Sequence, residues 1–180
     1  NWKMLVENQT DTCHPMVAHE SSAGTAIEIF KEMGEPEPRP AAMQIIAPFM
    51  SAYEFFESMG IRTWPNGHGH TGVNMSIHSD YDAIPEYYEA LRQTHGEIKA
   101  KAILDESRHN SVYFPNMMVK APLQQLRNFI PLGPDKTLVE SYVYRLAGAP
   151  DQLVAMSSMY NRMINAPTSI VGHDDLEMYE

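Results

Sequence analysis

Two histidines near the start of the chain, His14 and His19, stand five residues apart, and Asp11 precedes the first by three residues. Further carboxylates lie near the other end of the chain, at Asp174 and Asp175. Two neutral imidazoles and one distant carboxylate form the facial triad that holds non-haem Fe(II) and leaves coordination positions open for O2. The fold would have to bring the two ends of the chain together to build such a site.

The proline between the two histidines affects whether they can share one ion. On an uninterrupted α-helix, residues five apart diverge by about 140° of rotation. Pro15 lacks an N–H and its ring clashes with the preceding turn, so it predicts a break after His14 that lets His19 turn back. Two histidines at this spacing are nevertheless more often surface or core residues than metal ligands, so the spacing alone leaves both interpretations open.

Composition and charge restrict the class of protein. A chain of 180 residues with 43% hydrophobic residues predicts one globular domain. The formal net charge of −10 argues against nucleic acid or an anionic membrane surface as a partner. The single cysteine, Cys13, excludes an iron–sulfur cluster held by this chain alone. Since there is neither a run of about 18 apolar residues nor a signal peptide, we expect a cytoplasmic location.

In the first part of the chain the pattern of apolar residues predicts mostly helices and short strands. The predicted elements are a helix over 2–20, a surface connection over 21–43 with a short helix at 25–32, two or three strands within 44–79 including one at 70–78, and helical structure over 82–106 divided at Gly96. Trp64-Pro65-Asn66-Gly67 indicates a turn between strands.

In the second part of the chain, the sequence pattern predicts strands joined by short turns, followed by helices. The predicted elements are strands at 111–119, 123–131 and 137–146, a hairpin loop at 133–136, a helix at about 151–164 and a last helix that carries Asp174 and Asp175. Successive strands joined by short turns form antiparallel sheets. The predicted fold class is therefore α+β, an antiparallel β-sheet with helices packed on one side.

Three segments in combination match the pattern of one family. The first segment contains Asn-Trp-Lys from Asn1, Glu-Asn from Glu7 and Asp-x-x-His-x-x-x-x-His from Asp11. The second is the segment 108–116, which ends in Phe-Pro-Asn. The third is Gly-His-Asp-Asp at 172–175, which is followed by Glu180. With these segments the chain resembles the catalytic domain of the α subunit of Rieske non-haem iron aromatic-ring-hydroxylating oxygenases. The resemblance implies a helix-grip fold of the START/Bet v 1 type.

The resemblance also implies the metal ligands. His14 and His19 occupy the positions of the two iron-ligating histidines of the family, and the implied ion is a mononuclear Fe(2+). Asp175 matches the carboxylate ligand, because Glu180 follows it at the family's usual distance. Asp174 remains the alternative, since the sequence leaves one residue of register open.

Asp11 and Asn8 are implied to act beside the ligands. Asp11 matches the bridging aspartate, which in the family links the iron site to the Rieske cluster of a neighbouring subunit. Its position three residues before His14 also allows a hydrogen bond that would orient this ligand. Asn8 matches an asparagine near the iron. The alternative for both residues is an ordinary exposed position on a helix.

Five residues fall where the family's substrate pocket is lined, namely Gln9, Pro15, Arg108, Asn110 and Asn165. A guanidinium in an otherwise apolar pocket can pair bidentately with a substrate carboxylate, which is the role considered for Arg108. The alternative for Arg108 is a surface position or a structural salt bridge.

As a whole, the resemblance implies a terminal oxygenase component that uses O2 to hydroxylate an aromatic substrate, with cis-dihydroxylation expected. Electrons would come from NAD(P)H through a reductase, a ferredoxin or both, and a homotrimer or an α3β3 hetero-oligomer is implied. The Rieske [2Fe–2S] cluster belongs to a further domain of the subunit, so residues 1–180 are interpreted as a catalytic domain truncated at both ends. The alternatives are a Rieske-type monooxygenase or demethylase, a non-catalytic helix-grip binding module and a zinc hydrolase with the same ligands.

Overall fold

An antiparallel β-sheet organises the computed structural model, which describes residues 1–76, 84–105, 108–121 and 123–179. Within these residues the strands are β1 (Ile61–Thr63), β2 (Gly69–Thr71), β3 (Ser111–Tyr113), β4 (Met117–Lys120), β5 (Gln125–Gly133) and β6 (Lys136–Val143). They lie side by side in chain order, each antiparallel to the next. The prediction of an α+β fold built on an antiparallel sheet is therefore confirmed.

Most of the helices precede β1 or follow β6. The helices are α1 (Trp2–Asn8), α2 (Pro15–Ala18), α3 (Glu20–Glu32), α4 (Ala41–Ile46), α5 (Tyr53–Met59), α6 (Pro85–His95), α7 (Glu97–Asp105), α8 (Asp151–Tyr160) and α9 (Ile170–Tyr179). A π-helical turn, Asn161–Asn165, extends α8. None of the described helices combines the length and the apolar composition needed to cross a membrane.

Two apolar clusters fix the helices that will carry the candidate site. In the first, Leu5 and Val6 of α1 pack on Val112, Met118 and Phe129, which come from β3, β4 and β5. Burial of a side chain of this size contributes about 1.5–3 kcal/mol. The start of the chain is thereby held against the sheet.

The second cluster joins α3, the end of α4 and α9. It contains Ala23 and Phe30 of α3, Ile46 and Phe49 from the middle of the chain, and Val171 of α9. Because α9 packs here against α3, two segments separated by more than a hundred residues of sequence lie next to each other. The fold thus brings the two ends of the chain together, as the proposed ligand set requires.

The prediction of a surface connection over 21–43 is wrong for its first half. Glu20–Glu32 forms one continuous helix, longer than the short helix expected at 25–32, and α4 begins at Ala41. Gly24 and the neighbouring serines have low helix propensity. Ala23 and Phe30 are nevertheless buried in the second cluster, and tertiary packing of such a face supplies most of the stability of a helix in a protein.

The strands predicted within 44–79 are partly wrong. Residues 44–59 contain the end of α4, a 3₁₀ turn at Ala47–Met50 and α5. A short apolar run does not by itself distinguish a buried strand from a buried helix. The run that contains Ile45, Ile46 and Phe49 is of this kind, because these three side chains are buried. The strand expected at 70–78 is the short β2, and residues 77 and 78 of that prediction lie outside the described residues.

The predictions for the chain after residue 82 agree better with the structure. Gly96 separates α6 from α7 as expected, although residues 82, 83 and 106 of the predicted helical range lie outside the described residues. The strand predicted at 111–119 is a hairpin of β3 and β4, because the chain turns at Phe114–Asn116. The predicted hairpin of β5 and β6 is confirmed, with bounds shifted by one to three residues.

Candidate metal centre

The two histidines flank the single helical turn α2. His14 is its N-cap and His19 its C-cap, and the backbone N–H of Ala18 donates to the His14 carbonyl at 2.8 Å. Pro15 is the first residue of α2, a position that suits proline because the N–H it lacks would have no partner within the helix. The helix predicted over 2–20 is therefore interrupted at residues 9–14 and again at His19, and not directly after His14. Pro15 starts a helix here instead of breaking one.

A glycine allows α9 to approach the π-helical turn. Ser169 accepts a hydrogen bond from the N–H of Gly172 at 2.9 Å and donates one to the carbonyl of Ile164 at 3.1 Å. A Cβ at Gly172 would collide with the hydroxyl of Ser169 and lie 2.9 Å from the carbonyl oxygen of Ile164. The lack of a side chain at Gly172 therefore sets the position of α9, which carries Asp174 and Asp175.

Three side chains converge between α2 and α9. Ligand atoms of His14, His19 and Asp175 all lie within 4.8 Å of one another. The Asp175 Oδ1 is 3.4 Å from the His19 Nε2 and 3.8 Å from the His14 Nε2. Two metal–ligand bonds of about 2.1 Å span at most about 4.2 Å, so these separations fit a single shared ion. The structure thus brings together the three residues that the resemblance implies as ligands.

Asp174 lies beside the cluster and bonds the other nitrogen of His19. Its Oδ2 is 3.1 Å from the His19 Nδ1 and accepts a hydrogen bond of 2.7 Å from the Ser22 hydroxyl. An ionised carboxylate can only accept hydrogen bonds, so this contact is made by the tautomer of His19 that carries its proton on Nδ1. The lone pair of Nε2 then faces Asp175, which is the arrangement typical of a metal-bound histidine held by a carboxylate.

Asn8 connects Asp175 to the interior of the fold. Its Nδ2 donates to the Asp175 Oδ1 at 3.3 Å, and its Oδ1 accepts from the Gln9 Nε2 at 2.9 Å. The Gln9 Oε1 in turn accepts from Nη1 of Arg127 at 3.2 Å. The direction of this chain is fixed at both ends, because a guanidinium only donates and a carboxylate only accepts.

The environment of His14 favours the neutral imidazole. Burial lowers the pKa of His14, the nearby Asp175 raises it, and His19 acts in the same direction as burial. The Nδ1 of His14 is buried without a hydrogen-bond partner in the described part of the chain and lies 3.8 Å from the Asp11 Oδ2. A neutral imidazole with its Nε2 directed at Asp175 is the form that binds a metal.

Asp11 faces both His14 and the solvent. Its side chain is 47% exposed, and its Oδ1 accepts a hydrogen bond of 2.7 Å from the backbone N–H of Cys13. This bond fixes the loop before α2 and holds the other carboxylate oxygen near His14. Asp11 therefore bounds the cluster on its solvent side.

Comparison with protein families gives a match over the whole chain. Residues 1–180 match the family described as the ring hydroxylating alpha subunit (catalytic domain). The chain belongs to this family. No curated protein sequence matches it. Membership implies an oxygenase that hydroxylates aromatic rings, with mononuclear iron in this domain, O2 as a substrate and electron-transfer partners.

In this ring-hydroxylating catalytic domain, a cavity of about 60 Å³ that opens to solvent adjoins the three converging side chains. Its apolar walls include Phe49, Phe56, Met59, Met118, Ile164 and Val171. The rest of the lining is polar and includes the three converging side chains and Asn8, Gln9 and Asn110. Pockets that combine apolar walls with polar groups bind small molecules in many proteins. The cavity is therefore a candidate substrate pocket beside the three side chains.

Four of the five predicted pocket residues line this cavity, namely Gln9, Pro15, Asn110 and Asn165. Asn110 also donates to the backbone carbonyl of Gln9 at 2.9 Å, which holds the end of α1 against β3. Arg108 is exposed and is not among the residues that line the cavity. The structure therefore gives the guanidinium of Arg108 no position from which to pair with a substrate carboxylate there.

The cavity contains two cations that sequence reasoning did not single out, Lys120 of β4 and Arg127 of β5. A signal for Lys120 was present, since it stands two residues after the buried Met118 and side chains two apart on a strand share a face. Arg127 likewise stands two residues before the buried Phe129. A cation at an inward position of a strand is rare without a partner or a function.

Proposed function

We propose that this chain is the catalytic domain of a terminal oxygenase component that cis-dihydroxylates an aromatic substrate at a mononuclear Fe(II) held by His14, His19 and Asp175. The observation that carries the proposal is the convergence of three ligand atoms from opposite ends of the chain within 4.8 Å, beside a cavity with aromatic and aliphatic walls on one part of its lining. Family membership supports iron and ring hydroxylation. The assignment to these residues and to dihydroxylation is our inference.

The donor set fits Fe(II). Two imidazole nitrogens and one carboxylate oxygen are the ligands of the facial triad, which leaves positions on the ion for other molecules. The Nε2 atoms of His14 and His19 lie 3.8 Å and 3.4 Å from the Asp175 Oδ1, and the Nδ1 of His19 is engaged by Asp174, so Nε2 is the proposed ligand atom of both histidines. Once bound, Fe(II) supplies the activation of O2 with electrons delivered from outside the domain.

The protein residues orient the ligands and the ring. Asp174 holds the Nδ1 proton of His19, and Asn8 fixes one oxygen of Asp175. Partners of this kind around a metal site commonly change metal affinity or activity 10- to 100-fold when they are removed, as an order of magnitude. Phe49 and Phe56 line the cavity beside the three ligands and would give an aromatic ring an apolar surface to pack against.

Asp11 would carry electrons between subunits. Its half-exposed carboxylate lies 3.8 Å from the His14 Nδ1, so one side faces a candidate ligand and the other faces solvent. A histidine of a docked Rieske [2Fe–2S] domain from a neighbouring subunit would complete the bridge, in a homotrimer or an α3β3 hetero-oligomer. A reductase, with or without a ferredoxin, would supply the electrons from NAD(P)H.

Metal analysis tests the ligand assignment. We expect about one Fe(II) per chain after anaerobic loading, and loss of bound iron to background in His14→Ala, His19→Ala and Asp175→Ala. His95→Ala is the matched control, because His95 is exposed at the end of α6 and should leave the iron content unchanged. Absence of iron in the wild type, or iron that is indifferent to the three substitutions, would contradict the proposal.

The reaction type needs a separate measurement in a subunit that carries its Rieske domain. Dihydroxylation predicts that both oxygen atoms of one ¹⁸O2 molecule enter the aromatic product as a cis-diol. Entry of a single labelled atom would instead indicate a monooxygenase or a demethylase. Hydrolytic activity that needs neither O2 nor a reductant would indicate a zinc hydrolase.

A further inference from the structure

Two cationic side chains project from the sheet into the same cavity as the candidate ligands. In the register of β4 and β5, Lys120 pairs with Gln125 and Met118 pairs with Arg127. Side chains of paired residues lie on the same face, as do those two apart on one strand. All four residues therefore share the face that lines the cavity, and Lys120 and Arg127 are diagonal neighbours on it.

Lys120 is buried with no carboxylate beside it in the described part of the chain. Its residue is only 2% exposed. The ammonium Nζ lies 2.8 Å from the His109 Nε2 and 5.0 Å from the centre of the Tyr160 ring. Burial strongly lowers the pKa of Lys120, and the positive charge of Arg127 acts in the same direction.

Arg127 is satisfied on one edge only. Its Nη1 donates to Gln9 at 3.2 Å, whereas its Nε is buried without a hydrogen-bond partner among the described residues. Burial lowers the pKa of Arg127, while the negative charge of Asp175 acts against this effect.

This arrangement favours an anion in the cavity. Two buried like charges repel each other, and a buried cation without a counter-charge is unfavourable unless a ligand supplies one. A guanidinium with a free side-on edge matches the two oxygens of a carboxylate, and an ammonium adds a point charge. We propose that the aromatic substrate carries a carboxylate, held jointly by Lys120 and Arg127. This inference rests on the proposed function and adds the class of its substrate.

Binding to the metal-free protein tests the inference. Benzoate and 2-naphthoate are compared with benzamide and 2-naphthamide by isothermal titration calorimetry in the presence of EDTA, so that coordination of the carboxylate to a metal cannot contribute. We expect each carboxylate to bind about tenfold more tightly than its amide, or better, since a hydrogen bond to a charged group contributes roughly that much.

Substitutions test whether Lys120 and Arg127 are the source of the preference for carboxylates. Lys120→Met and Arg127→Met should each reduce the preference for the carboxylate about tenfold, while Arg127→Lys, which keeps the charge but not the fork, should retain part of it. Lys136→Met removes the same charge from an exposed position on β6 and should leave the preference unchanged. Arg108→Met should also leave it unchanged, because Arg108 does not line the cavity.

Each outcome bears on the inference separately from the proposed function. Equal or undetectable binding of carboxylate and amide by the wild type overturns it, and so does a preference that survives in both Lys120→Met and Arg127→Met. Iron content of Lys120→Met should match that of the wild type and shows that the fold and the metal site are intact in this variant. Arg127→Met is checked for folding by circular dichroism instead, because Arg127 is connected to Asp175 through Gln9 and Asn8. Normal iron binding without a carboxylate preference rejects the anionic substrate alone, whereas a carboxylate preference without iron rejects the oxygenase alone.

Discussion

The side-chain amide of Asn8 donates to the Asp175 Oδ1 at 3.3 Å, which connects the last residue of α1 with the middle of α9 across 167 positions of sequence. This bond is the last step of a chain of donors that runs from Arg127 through Gln9 to Asn8. The orientation of a candidate metal ligand is therefore coupled to a cation of the cavity. Three of these four residues lie outside the group that would touch the ion.

Replacing Asn8 with alanine tests this coupling. Asn8→Ala removes the donor to Asp175 and leaves the Nε2 of Gln9 as the end of the chain, so Asp175 loses part of its orientation. We expect the affinity for Fe(II) to fall by about 10- to 100-fold while the fold is retained. The measurement is a competition titration with a chelator, and circular dichroism serves as the control for folding. An unchanged affinity would show that the hydrogen bond does not help to position the ligand.

The two adjacent aspartates should respond differently to the same substitution. Asp175→Ala removes a ligand atom and should abolish iron binding. Asp174→Ala removes only the acceptor for the His19 Nδ1 and for Ser22, so affinity should fall by about 10- to 100-fold but remain measurable. The reverse order of effects, with iron lost in Asp174→Ala and retained in Asp175→Ala, would assign the ligand role to Asp174.

A matched pair of glycines tests how α9 is positioned. Gly172→Ala places a methyl group against the Ser169 hydroxyl and the Ile164 carbonyl, and overpacking of this kind costs about 1–3 kcal/mol. Because α9 carries Asp175, iron affinity should fall as well. Gly24→Ala is the control, since a Cβ there meets nothing within 4 Å and should stabilise α3 by up to about 1 kcal/mol. Equal effects of the two substitutions in urea unfolding would contradict the close approach at Gly172.

The elements that the sequence predicted best are those whose local signals agree with their final environment. The hairpin of β5 and β6 has β-branched and aromatic residues in both strands and a Gly-Pro-Asp-Lys loop between them. Residues 44–50 gave an ambiguous signal, because an apolar run of this length suits a buried strand or a buried helix. Its contacts with α3 and α9 decide for the helix, and those partners are distant in sequence.

The residues of the candidate site likewise fall into two groups, those that the sequence indicates and those that only the fold reveals. The motif around them suggests His14, His19 and Asp175 as ligands. The different contacts of Asp174 and Asp175 can be seen only in the structure, where Asp174 lies at the Nδ1 of the His19 ring and Asp175 at its Nε2. The sequence suggests Arg108 as the cation of the pocket because it falls where the family's substrate pocket is lined. Lys120 and Arg127 occupy that role in the structure because the register of β4 against β5 decides which side chains face the cavity, and register is a long-range property.

Stability as a function of pH should reveal the buried ammonium of Lys120. Burial holds its pKa well below the ordinary value of 10.5, so the unfolded chain binds a proton that the folded chain releases more readily. The free energy of unfolding of the wild type should therefore rise with pH in the window below 10.5. Lys120→Met lacks this group, and we expect it to be more stable than the wild type near neutral pH by about 1–4 kcal/mol, the range found when buried charges are replaced by apolar side chains.

The advantage of Lys120→Met should shrink as the pH rises, because the wild type recovers stability while the variant does not. Urea unfolding of both proteins between about pH 6 and pH 10 measures this difference, and Lys136→Met, which removes an exposed lysine, should track the wild type throughout. A constant difference between Lys120→Met and the wild type would mean that Lys120 titrates as an ordinary exposed lysine.

Addition of benzoate should stabilise the wild type more than Lys120→Met, since a carboxylate supplies the counter-charge that the empty cavity lacks and binding to the folded state alone raises its stability.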